Sequence, residues 1–299
     1  MTAGPAAGAP APGSLPVPAR LAGRRVGTRS RTLTGAVPSR LTGRVVLLVS
    51  GVLFAVPLAA MAWFTLQQVG TGAFTLAHYG AILDPAQASN YEDLFTGLQN
   101  SLIICVLTVL IVLLLLLPAM LLAELRFPAV RPVIEVVCLL PITVPTVVLV
   151  VGFVPVYQVL GGTVGTDPWT LAFAIGVISL PYAYRPISTN LSTLNLTTLA
   201  EAARSLGAGW FRTVWQVVLP NLRRGILSSC LLTVSVVLGE FTIANFLNQT
   251  TFQTGLLLLQ QTDPYVATIF ALLALLFVFL LLVVISTAGS IGRSRRSRR

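Results

Sequence analysis

Few side chains in this sequence could do chemistry. The 299 residues hold nine acids, one histidine and three cysteines, and all 19 basic residues are arginine. Glu240 stands apart because it lies deep in an apolar run, Val237-Leu238-Gly239-Glu240-Phe241. An ionised acid near mid-bilayer costs roughly 2.5 to 3.5 kcal/mol on insertion scales, so it must face a bundle interior or a wet cavity. Two roles are open to it: lining a solute path, where it would attract a cation, or making an interhelical hydrogen bond that fixes packing. Thr242, Asn245 and Asn248 extend the same polar stripe, and Tyr182, Tyr184 and Arg185 end another apolar run. These are further candidates for a path or a gate.

Other chemistries find no support. His78 has no cysteine or acidic cluster beside it, so no metal site is expected. Cys105, Cys138 and Cys230 each sit alone in apolar stretches without a Cys-x-x-Cys pair, and read as small packing residues. Gly161–Thr166 lacks the Gly-Lys-Ser/Thr ending of a phosphate-binding loop. No Ser-His-Asp set can be assembled. The chain is expected to have no catalytic residue, to bind no cofactor and to hydrolyse no ATP by itself.

The elements that would position Glu240 are membrane helices. Apolar residues make up 55% of the chain and charged residues only 9%, far from the quarter charged in a soluble domain. Six spans are expected, near 45–66, 101–122, 133–157, 169–188, 225–247 and 265–288. At about 1.5 Å of rise per residue, runs of roughly 20 residues cross a core of about 30 Å. Proline recurs in them, at Pro57, Pro118, Pro141, Pro145, Pro155 and Pro181, where it kinks the rod. No pair of Gly-interrupted half-helices is legible.

Arginine sets the orientation. The segments between spans one and two, three and four, and five and six carry none, only Asp84, Glu92, Asp93, Asp167 and Asp263. The amino-terminal tail, the two remaining connections and the carboxy-terminal tail carry all 19. The positive-inside rule therefore places both termini in the cytoplasm, with anionic lipid as a partner of the tails. The net charge of +10 is thereby assigned to membrane topology and no nucleic acid is implied. Residues 1–44, rich in Ala, Pro, Gly, Ser and Arg, read as a disordered basic tail, and 289–299 as a second one. Arg24-Arg25 lacks the follow-on residues of a twin-arginine signal, and the first apolar run is too long for a cleaved leader.

Between spans four and five lies a polar island, 195–224. Leu199, Ala202, Ala203 and Leu206 share one face of a short helix, Thr198 and Glu201 form a capping-box start, and Gly207 is its stop. Phe211, Val214, Trp215 and Val218 repeat the spacing, and Leu219-Pro220 closes the second helix. Such a hairpin wants a protein partner, the flank of its own bundle, or the membrane interface.

Glu201-Ala202-Ala203, Gly207, Val217 and Leu219-Pro220 resemble, without a gap in spacing, the EAA loop of the permeases of type I binding-protein-dependent ABC importers. Leu140–Gly152 resembles the third span of that family, and Asn100-Ser101-Leu102 the start of its five-helix core. The resemblance covers about 98–288, leaving the first span, 45–66, outside. It implies an all-α membrane protein in which six transmembrane helices carry a cytoplasmic two-helix coupling hairpin, set in a bacterial cytoplasmic membrane. It further implies two ATP-binding subunits that use ATP and magnesium and grip the loop, a second permease expected to be a different chain, and an extracytoplasmic solute-binding protein. The Gly239-Glu240 pair resembles polyamine, iron, sulfate and molybdate permeases, and the fifth-span and tail regions point to a polyamine such as spermidine or putrescine. Thiamine and phosphonate remain alternatives, as do a secondary carrier, a channel or a membrane scaffold.

Overall fold

The computed structural model describes residues 40–68, 70–194 and 196–294, with Thr2 and Gly4; of the expected tails, 1–44 and 289–299, residues 40–44 and 289–294 are helical, and the rest, apart from Thr2 and Gly4, lie outside the described residues. The chain divides into two units, Met1–Leu53 and Phe54–Arg299. Apart from Thr2 and Gly4, the described part of the first is the opening of helix α1 (Arg40–Thr65).

Among the described residues there is no strand, only an isolated bridge between Gln67 and Phe74. After α1 come α2 (Ala77–Leu83), α3 (Glu92–Leu125), α4 (Arg131–Thr143), α5 (Thr146–Thr163) and α6 (Leu171–Thr193). The hairpin and its continuation are α7 (Leu196–Ser205), α8 (Trp210–Thr213), a π turn over Val214–Val218 and α9 (Leu219–Gly239). The chain ends with α10 (Thr242–Phe246), α11 (Phe252–Thr262) and α12 (Pro264–Ser294).

Five described segments are long and apolar enough to cross a membrane: Leu41–Thr65, Pro85–Leu125, Thr146–Thr163, Trp210–Gly239 and Pro264–Leu281. The expected fourth span, carried by α6, is not among them. Pro181-Tyr182-Ala183-Tyr184-Arg185-Pro186 dilutes its apolar average, and such a helix can be tolerated because α3, α4 and α9 cover most of it, leaving exposed a stripe of Phe173, Val177, Tyr182 and Arg185. Its buried face runs from Leu171 to Leu191. A helix so covered by protein need not present hydrocarbon to lipid all round.

Two expected spans prove to be interrupted. Residues 133–157 do not form one rod: Val144 is extended and Pro145 has no N–H, so α4 ends at Thr143 and α5 begins afresh at Thr146. Residues 225–247 break in the same way, α9 ending at Gly239, Glu240 being extended, and a short α10 following. Among the described residues two rods are thus broken, and neither break is expected from the sequence.

Glycine sets the closest helix approaches. A Cβ on Gly225 of α9 would lie 2.9 Å from Asn190 Cβ and 3.0 Å from the Pro186 carbonyl of α6, and one on Gly255 of α11 would lie 3.0 Å from the Asp93 carbonyl of α3. Small residues at such crossings let backbones pack where lipid supplies no hydrophobic drive. At the opposite end from the hairpin, Tyr265 is sandwiched between Phe64 and His78, with ring centroids 4.5 and 4.4 Å away. His78 also donates from Nε2 to the Gln67 carbonyl at 3.1 Å, so the sole histidine is a packing residue of this clasp.

Candidate functional site

Two regions carry the polar side chains singled out by the sequence: a cavity at the helix breaks and the hairpin at the other end of α9. The cavity holds about 540 Å³ and is open on one side. Its wall comes from Pro141–Thr146 at the first break, Ile178 and Tyr182 of α6, and Val236 and Gly239–Thr242 at the second. Glu240 is 7% exposed. Its carboxylate accepts the Ile243 N–H at 2.7 Å and the Thr242 N–H at 3.1 Å. It therefore caps the first turn of α10, satisfying donors that a helix start leaves open. Neither of the two roles read from sequence included this one. The acid does not sit within a continuous span, and the hydrogen bonds found for it are to its own backbone.

The breaks also leave acceptors unclosed. Among the described residues no hydrogen bond reaches the carbonyls of Ile142, Thr143, Gly239 or Glu240. Thr242 lines the cavity. Asn245 does not: it is exposed, beyond the wall. Tyr184 is buried in a separate pocket too small for more than about one water, beside Glu124 and Arg131, which pair at 3.3 Å. Its neighbour Tyr182, on the opposite side of α6, is the tyrosine that reaches the cavity.

The second break is held in place by a polar clamp. Asn100 Nδ2 donates to the Thr250 carbonyl at 2.8 Å, and the Phe252 N–H donates to Ser101 Oγ at 2.9 Å. Gln253 Nε2 donates to the Leu238 carbonyl and Gln249 Nε2 to the Thr166 carbonyl, both at 2.9 Å. Gly97 admits this loop, since a Cβ there would lie 2.6 Å from the Thr251 carbonyl carbon. Asn100 and Ser101 thus earn their place by tying the start of α3 to the segment that follows α10.

In the hairpin, α7 starts at Leu196, so Thr198 lies inside the helix and not at its cap. The earlier start also moves the buried face. Leu196, Ala200 and Ala203 are buried, with Leu199 half-buried, whereas Ala202 and Leu206 are exposed. Gly207 ends α7 with φ +80°, and the Ala208 and Gly207 amides donate to the Ala203 and Arg204 carbonyls at 3.0 and 2.9 Å. This is a Schellman turn, whose left-handed residue is naturally glycine.

The second helix does not close at Leu219-Pro220. It runs on from Trp210 to Gly239. The π turn over Val214–Val218 precedes Pro220 and absorbs its missing donor and its ring, so the proline sits at the start of a renewed α-helix. Val218 and Leu222 join Leu196, Leu191, Ile187 and Tyr184 in one buried cluster. The hairpin is therefore fixed to the bundle by one face. Its other face stays out: Leu206 is 89% exposed, Phe211 73% and Trp215 58%. Arg204 stands 5.7 Å from the Trp210 ring, and Phe211 lies 5.8 Å from Trp215. Glu201, Gly207 and Pro220 are exposed, with Val217 and Leu219 half-buried.

A bundle of long apolar helices with broken rods around a polar cavity and an exposed hairpin has the makings of a membrane permease. The chain belongs to the family described as binding-protein-dependent transport system inner membrane component, which matches residues 115–290. It is 27% identical over 183 residues to the spermidine/putrescine transport system permease protein PotB of Haemophilus influenzae, covering 54% of this chain and 64% of that protein. It is 37% identical over 71 residues to the sulfate transport system permease protein CysW of Synechococcus elongatus, covering 24% of each. A third relative is the probable sulfate transport system permease protein cysT of Chlorokybus atmophyticus, 30% identical over 133 residues, 41% of this chain and 46% of the relative. In each match the chain spans less than two thirds of the relative's own length.

Proposed function

We propose that this chain is the transmembrane permease subunit of an ATP-driven importer, forming half of a solute path and coupling it to separate ATPase subunits. One observation carries the reading. The helix that begins in the exposed hairpin, Trp210–Gly239, is the same helix that ends at the cavity, so a push on the hairpin arrives at Gly239 and Glu240. The exposed Leu206, Phe211 and Trp215 are the contact face for the ATPase, and Glu201, Ala202, Ala203, Gly207, Val217, Leu219 and Pro220 shape it. The assembly comprises two ATPase subunits, which alone use ATP and magnesium, a second and different permease, and an extracytoplasmic binding protein. Both termini and the hairpin face the cytoplasm, in accord with the placement of the arginines.

The solute is a polyamine. The match to the PotB protein extends over 54% of this chain, against 24% and 41% for the two sulfate permeases. The decisive experiment co-expresses the chain with a second permease, an ATPase subunit and a solute-binding protein of the same importer family from its source organism. The ATPase should co-purify, and Phe211→Ser with Trp215→Ser should release it while the melting temperature of the permease stays unchanged. Retention of the ATPase by that double variant refutes the docking face; spermidine-independent uptake of sulfate refutes the polyamine.

A further inference from the structure

The chemistry of the cavity wall bears on its ligand independently of any relative. Helix ends are partial charges, negative where carbonyls are left open and positive where amides are. Here the carboxy-terminal ends of α4 and α9 both reach the wall, and the carbonyls of Ile142, Thr143, Gly239 and Glu240 have no donor among the described residues. The opposing positive end, the start of α10, is already neutralised, because its Thr242 and Ile243 amides donate to the Glu240 carboxylate. That carboxylate uses two of about four acceptor sites in doing so. The start of α5 adds one amide of the other sign, at Thr146. No arginine lines the wall, and Tyr182 and Phe241 add aromatic rings, which favour cations over anions.

We infer that this cavity is a binding site for an alkylammonium group, with Glu240 as the residue that selects for positive charge. An ammonium head brings three donors and a positive charge to a wall whose one charged group is the Glu240 carboxylate and whose hydroxyls, those of Thr146, Tyr182 and Thr242 among them, can accept as well as donate, whereas sulfate would meet a charge of its own sign. Broken membrane helices whose freed carbonyls receive a cation are a general solution where irregular backbone lines a cavity. The site deepens the importer reading, on which only its physiological role rests. The Glu240 cap gives it a built-in response: an ammonium drawing the carboxylate outward must loosen the Thr242 and Ile243 bonds, and with them the first turn of α10.

The test needs neither ATP nor partners, so its outcome is separable from that of the importer reading. The full chain in lipid nanodiscs is titrated with spermidine, putrescine, sodium chloride and sodium sulfate. Saturable binding of the two amines is expected, weakened about tenfold or more by Glu240→Gln and unaffected by Glu92→Gln, an exposed acid of α3. In the unsubstituted chain, labelling of Glu240 by a hydrophobic carbodiimide, read by mass spectrometry, should slow when spermidine is present. Undiminished amine binding in Glu240→Gln, sulfate binding tighter than spermidine, or displacement of spermidine by equimolar sodium overturns the inference. Should Glu240→Gln fail to fold, absence of spermidine protection in the labelling experiment overturns it equally. Amine binding without any ATPase capture would leave the site standing and sink the importer.

Discussion

Gly207 offers the sharpest test of the hairpin, because its requirement is conformational and nothing else. Its φ is +80°, and a Cβ placed on it would meet no atom within 4 Å. Substitution therefore creates no clash inside this chain, and the whole penalty is the left-handed backbone, about 1–2 kcal/mol for an ordinary L-residue and most for a β-branched one. Asparagine enters this region more readily, so its penalty is smaller. With 1.4 kcal/mol worth a factor of ten, Gly207→Val should cut the population of the native turn by about ten- to thirtyfold relative to its competitors, and Gly207→Asn far less. The two bonds that depend on the turn, from Ala208 to Ala203 and from Gly207 to Arg204, report it directly through hydrogen exchange of their amides. The valine variant should lose that protection together with coupled ATPase activity and uptake, while insertion and the melting temperature of the bundle hold. Asparagine should retain most of both. Equal damage by Val and Asn, or full protection in Gly207→Val, would refute the conformational argument.

Two further outcomes concern the clamp. Gly97→Ala should lower stability by about 1–3 kcal/mol, the usual cost of overpacking, because the Thr251 carbonyl it would strike is tied on both sides and cannot withdraw; an unchanged thermal midpoint would contradict this. Asn100→Leu removes the bond to the Thr250 carbonyl and should cost about 0.6–2 kcal/mol, the range for polar contacts between membrane helices, with increased exchange at 250–252 by mass spectrometry as its local signature.

The sequence told most about what repeats and least about what bends. Long apolar runs read directly as helices, and the hairpin with its Gly207 stop was legible because turn chemistry is local. The buried face of α7 was displaced because its start at Leu196 is set by packing against Val218 and Leu222, which no window of the sequence contains. Pro220 was taken for a terminator, since the π turn that tolerates it has no signature of residue type. The break at Val144 had a signal in Pro141 and Pro145, but Pro118 and Pro155 lie inside helices that continue, so proline alone does not say which rod parts. At Glu240 the decisive fact was that a carboxylate can be consumed by its own backbone two and three residues on, an alternative to both path and interhelical contact.

These departures from the regular pattern belong to one mechanical unit. From Trp210 to Gly239 the chain forms 30 helical residues, about 45 Å of rod, with the exposed aromatic face at one end and the cavity at the other. Gly225 presses this rod against α6 and leaves it no room to tilt freely there. A displacement at Phe211 and Trp215 must then appear on the far side of that crossing, as rotation about it or as motion along the axis. The rod ends where its neighbour begins a new direction, and the joint is Glu240, held by two hydrogen bonds that a cationic solute could compete for. Beyond the joint, Asn100, Ser101 and Gln249 anchor the chain to other elements, and Gln253 ties it back to the Leu238 carbonyl in the last turn of α9, so a displacement of α9 would be resisted by the anchored segment through that one bond. On the proposed importer mechanism the rod would move against this anchor about a hinge held by the Glu240 carboxylate, and the break supplies that hinge. An unbroken fifth span would carry the motion past the solute.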